Sequence, residues 1–153
     1  MKYYAVIDTN VLVSAMLKWD SVPGNVLELA FSGVIVPLLN EAIVGEYQAV
    51  LSRPKFHLPE RVIHDLLAEI HHCGVFVDAP ELDADLPDPK DRVFFEVVME
   101  QRKSEDAYLV TGSIRHFPEK PYIVTPGRCW TSSWGMWTSK FAAEKKASIP
   151  FEG

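Results

Sequence analysis

Short runs of strand-forming residues alternate with segments of helical periodicity along most of this chain, and the first run stops at a carboxylate. Residues 2–7, KYYAVI, are apolar and rich in β-formers, so they read as a strand that ends at Asp8. Thr9 and Asn10 are good helix caps for the apolar segment VLVSAML. Pro23 and Gly24 punctuate the chain before a short helix over 25–31, which Gly33 closes. Val34–Val36 is the next strand candidate. Asn40 caps a helix of about a dozen residues, ending before Pro54 because the residue before a proline avoids the helical region. Pro59 opens RVIHDLLAEIHHC, which Gly74 closes, and strand candidates follow at 75–77, 107–111 and 122–124. A further helix spans about 89–103. Strands alternating with helices predict an α/β fold with a mostly parallel sheet, and ligands of such sheets bind beyond the carboxyl ends of the strands.

Composition supports one ordinary globular unit: 153 residues, 48% hydrophobic and 24% charged, with no apolar run of membrane-spanning length. The N-terminal residues lack a secretory pattern, so a cytoplasmic location is expected. Cys73 and Cys129 stand without a CxxC, which argues against a disulfide framework. A net charge of −6 speaks against generic electrostatic coating of nucleic acid. The charge is uneven, however. Residues 1–106 hold nine Lys/Arg against eighteen Asp/Glu, whereas residues 107–153 hold six against three.

Four positions stand out chemically. Asp8 ends the first strand, where it serves either as a helix cap or as a group for chemistry. Glu46 shares a helix side with Ile43 and Val50, and a carboxylate on an inward stripe calls for a partner or a metal, unless it sits at the solvated edge. In Asp88-Pro89-Lys90-Asp91, Asp88 suits an N-cap, Pro89 the first helical position and Asp91 the third, and acids there are also well held for gripping a cation. The turn after the fourth strand, TGSIRH, brings a glycine, hydroxyls, Arg115 and His116. Carboxylates from separate segments meeting at one sheet end suit Mg²⁺ or Mn²⁺, hard ions that take oxygen ligands and support phosphodiester hydrolysis.

In order, VIDTNVLVSAML, EYQAVLSRPKF, LPDPKDRVFFE, DAYLVTGSIRHFP and IVTP resemble the PIN-domain family, most closely the toxin components of bacterial toxin–antitoxin operons. The resemblance covers residues 3–126. It implies a three-layer α/β/α fold of ribonuclease H-like type, with a central mostly parallel sheet. It implies a metal-dependent endoribonuclease using Mg²⁺ or Mn²⁺, an RNA substrate, an inhibitory antitoxin protein, and a homodimer or larger assembly. Asp8, Glu46 and Asp91 match the family's catalytic, metal-holding acids, with Asp88 as an extra carboxylate. Asn10, Ser113, Arg115 and Arg92 fall where substrate contacts are expected, with His116 beside them. Ser113 occupies a position that relatives usually fill with Asp or Asn, which leaves one or two metals open. The alternative is a catalytically degenerate PIN domain that binds RNA or protein.

Other chemistries fit poorly. A haloacid-dehalogenase-like site needs a second Asp where Asn10 stands, no HExxH marks a zinc enzyme, and no glycine-rich loop follows the first strand. After Pro126 the periodicity stops. GRCWTSSWGMWTSK carries three of the four tryptophans, so residues 127–153 read as an atypical tail that packs on the sheet, meets a partner or is disordered.

Overall fold

The computed structural model describes residues 2–82, 86 and 91–131. Their order is β1 (Tyr3–Ile7), α1 (Thr9–Leu17), α2 (Val22–Phe31), β2 (Ile35–Leu39), α3 (Glu41–Leu51), α4 (Glu60–Cys73), β3 (Val75–Phe76), α5 (Arg92–Arg102), β4 (Ala107–Val110), β5 (Ile123–Val124) and α6 (Pro126–Thr131). Single 3₁₀ turns at Pro54–Phe56 and Ile114–His116 follow α3 and β4. Among these residues no helix is long and apolar enough to cross a membrane.

All five strands are parallel, in the order β3-β2-β1-β4-β5. The first two crossovers step outward from β1 to β3, and the third returns to the other side of β1. Right-handed crossovers therefore put α5 on the opposite face from α1, α2 and α4, giving three layers. Helix α5 packs on β1, β2 and β4, while α1 to α4 contact one another as a contiguous layer. Strand β1 is central, with Ala5, Val6 and Ile7 buried, so its sequence reads as an apolar run rather than an alternation. The strand order reverses between β1 and β4, the place where α/β sheets open a crevice at their carboxyl ends.

Local signals explain most boundaries. Asn40 Oδ1 accepts from the Ile43 amide at 2.8 Å, capping α3 as expected. Gly33 adopts φ +88° just past α2, a conformation that side chains resist.

Three expectations need correction. Helix α2 begins at Val22, because Ser21 accepts from the Gly24 amide and Pro23 fits the first turn, so Pro23 and Gly24 lie inside it. The N-cap position of α1 is Asp8, not Thr9 or Asn10. Helix α5 starts at Arg92, so Asp91 sits at the N-cap position rather than the third helical one.

Helix α6 extends past the boundary expected at residue 126. It packs against α2 and buries Cys129. Cys73 and Cys129 are both free thiols. Residues 132–153, which carry most of the tryptophan-rich stretch, lie outside the described residues.

Candidate active site

A cleft of about 410 Å³ opens at the carboxyl edge of the sheet, and Asp8, Glu46 and Asp91 all line it. Each comes from a different element. Asp8 follows β1 directly, and its amide donates to the Val110 carbonyl at 2.9 Å, continuing the β1–β4 ladder by one residue. That register sets Thr111 beside Asp8. The Thr111 hydroxyl donates to Asp8 Oδ2 at 2.7 Å, and the Ser113 amide donates to Thr111 Oγ1 at 2.9 Å.

Asn10 fastens the other side of this network. Its Nδ2 donates to Ser113 Oγ at 2.9 Å and reaches Asp8 Oδ2 at 3.5 Å, while its Oδ1 accepts from the Gly112 amide at 3.0 Å. A Cβ at residue 112 would stand 3.3 Å from Asn10 Oδ1, so glycine lets the turn approach this closely. Asn10 and Ser113 both line the cleft.

Glu46 reaches the cleft because α3, which contacts both α1 and α5, passes the carboxyl end of β1. The buried Tyr47 hydroxyl donates to the Ile7 carbonyl, one residue before Asp8. Its ring meets Phe94 of α5 at 6.4 Å between centroids. Helix α3 is thereby pinned between the end of β1 and the start of α5, with Glu46 on the cleft side. Asp91 closes the third side, its Oδ2 3.3 Å from His116 Nδ1.

Asp8 is only 6% exposed, and burial pushes its carboxyl above the usual range. The Thr111 hydroxyl, backbone amides and the His116 charge oppose that shift without cancelling it. Tyr47 is likewise raised, first by burial and then by the Asp8 charge, so its hydroxyl keeps its proton and stays a donor.

Of the other expected residues, Asp88 lies outside the described residues. Arg115 is exposed on the 3₁₀ turn and Arg92 opens α5, and neither belongs to the cleft lining. The lining includes Arg53 and Phe56, which sequence reasoning missed although both fall in the quoted SRPKF segment. Thr111 was missed as well, since only the strand register pairs it with Asp8.

The donors here are oxygens of carboxylate, amide and hydroxyl groups, the set that hard divalent cations take. Among the described residues, no three His, Cys, Asp or Glu side chains are gathered into a ready-made cage. In chemistry the oxygen donors fit Mg²⁺, which is commonly held through one or two carboxylates.

Comparison with curated proteins gives no match. The PIN domain family model matches residues 4–115, from β1 through the turn after β4, and includes Asp8, Glu46, Asp91 and Ser113. With the parallel sheet and the cleft at its switch point, this match makes the chain a member of the PIN domain family, whose domains are generally nucleases.

Proposed function

We propose that the protein is a metal-dependent endoribonuclease and the toxin of a toxin–antitoxin pair. The observation that carries this reading is that Asp8, Glu46 and Asp91, from three separate elements, all line one cleft at the sheet's switch point. Burying Asp8 with no lysine or arginine partner among the described residues is unfavourable for a folded chain on its own. Function explains why such a group is kept.

Asp8 is the primary carboxylate for Mg²⁺ or Mn²⁺, with Glu46 and Asp91 completing the negative lining and Asp88 as an extra carboxylate. A cation bound there supplies Lewis acidity toward a phosphoryl oxygen and eases ionisation of water. Thr111 fixes the Asp8 carboxylate through its hydroxyl, and Asn10 fixes the Ser113 hydroxyl. Ser113 orients water and adds no charge, which favours a single tightly held cation. His116 stands beside Asp91, its Nδ1 3.3 Å from Oδ2. An antitoxin protein and a second copy of the chain are the partners this reading brings.

Cleavage of labelled single-stranded RNA by EDTA-stripped protein tests the reading. Activity is expected to return with Mn²⁺ and to be absent from Glu46→Gln at the same Mn²⁺ concentration. RNA that is bound but never cut across the Mn²⁺ titration would instead identify a binding module. For the toxin role, expression of the chain should arrest growth, and Asp8→Asn should release it.

A further inference from the structure

The turn that follows α3 projects a cation and an aromatic ring into the cleft beside the acids. Arg53 is exposed, and its guanidinium makes no hydrogen bond or ion pair among the described residues. Phe56 is half-buried. Its inner side packs on the core, and its remaining surface lines the cleft. Lys55 Nζ lies over the Phe56 ring, 5.1 Å from its centroid.

The turn is rigid. The Arg53 amide donates to the Val50 carbonyl at 3.1 Å, and the Phe56 and His57 amides donate to the Arg53 and Pro54 carbonyls at 3.1 Å each. Pro54 fixes the first position, and His57 takes the left-handed conformation at φ 52°, which turns the chain sharply away.

We propose that Arg53 and Phe56 form a nucleotide subsite for single-stranded RNA, with Arg53 taking a backbone phosphate and the Phe56 ring stacking the adjoining base. The inference rests on the nuclease reading and adds to it the residues that hold the substrate beside the acids. Three carboxylates in one cleft repel a polyanion, so a cation on the rim must offset them. Among the described residues the Arg53 guanidinium is spent on no hydrogen bond or ion pair, and its planar fork matches phosphate geometry. An aromatic platform beside a phosphate-binding cation is how single-stranded nucleic acid is held without sequence readout, because every base has a face to stack. A paired base inside a duplex has no free face to offer Phe56, so the subsite selects unpaired RNA.

The test uses the full chain carrying Asp8→Asn, so that RNA survives, and a short single-stranded oligoribonucleotide containing 2-aminopurine. Arg53→Ala added to this chain is expected to flatten the dependence of log K on log salt by about 0.7, one phosphate on a single strand. Phe56→Leu is expected to weaken binding about ten-fold and to remove the 2-aminopurine quenching, whereas Phe56→Tyr restores both. Neither Phe56 change should alter binding of the same sequence as a duplex. An unchanged salt slope in Arg53→Ala, or binding and quenching unaffected by Phe56→Leu, overturns the subsite. If the unmodified chain still cleaves RNA in an EDTA-sensitive way, the nuclease reading survives that failure. If it does not cleave, both fail together.

Discussion

Asp8 is held in the folded chain against its own preference. Burial raises its carboxyl pKa from the ordinary 3.8, so the native state binds its proton more tightly than the unfolded chain does. Between the ordinary value and the raised one, the folded state carries more protons, and stability falls as pH rises through that window. Above it the penalty is fully developed. Asp8→Asn removes the charge, keeps an oxygen for Thr111 to donate to, and is expected to melt higher than the parent in EDTA at neutral pH. The margin should shrink as pH falls toward 3.8, which melting curves across pH would reveal. A constant margin would place the effect elsewhere than on this ionisation. At this scale the acids were legible in the sequence, since each lies in an ordered motif. Thr111 was not, because nothing in a strand's own residues says which neighbour it will pair with. Arg53 escaped for a similar reason: an arginine after a helix looks solvated until the turn beyond it is known.

Helix α3 is the element on which the site's geometry depends. Its tether is the hydroxyl of Tyr47, donating to the Ile7 carbonyl in a buried environment. Tyr47→Phe keeps the ring against Phe94 and deletes that bond, at an expected loss of about 1–2 kcal/mol in chemical denaturation. Because Glu46 adjoins Tyr47, the same change should raise the Mn²⁺ concentration needed for half-maximal cleavage. A stability loss without a shift in metal dependence would limit Tyr47 to holding the fold.

Helix α5 is tied at both ends by other means. The buried Glu96 carboxylate accepts from the Leu82 amide at 2.7 Å, fastening the segment just after β3 to the helix. Arg102 donates to the Ala107 carbonyl at 2.8 Å and stacks 4.0 Å over the Tyr122 ring, joining α5 to β4 and the approach to β5. Arg102→Lys gives up the planar stack and is expected to destabilise the chain by about 1 kcal/mol, with metal-dependent cleavage retained. Helix and strand identities were readable from apolar periodicity. Starts were less so, since capping signals compete: Ser21 outweighed Pro23 and Gly24, and Asp91 took the N-cap position of α5.

For the whole molecule, the decisive property is the strand order. A chain that pairs β1 with both β2 and β4 puts Asp8 at the switch point, and α3 and the incoming α5 bring Glu46 and Asp91 to it. Parallel α/β architecture followed from the alternation of elements, but the order did not, because every strand is a similar short apolar run. The uneven charge also acquires a place: an acidic cleft needs a counterion before it can accept RNA. Mn²⁺ added to stripped protein should therefore raise its melting temperature by mass action, and Asp8→Asn should lose most of that rise. A crystal of the full chain soaked in Mn²⁺ and measured for anomalous scattering tests the central claim most directly. The account predicts a peak in the cleft about 2.0–2.6 Å from an Asp8 carboxylate oxygen, with Glu46 and Asp91 facing the same ion directly or through water. A saturated crystal with no peak beside Asp8, or with its Mn²⁺ bound elsewhere, would contradict it.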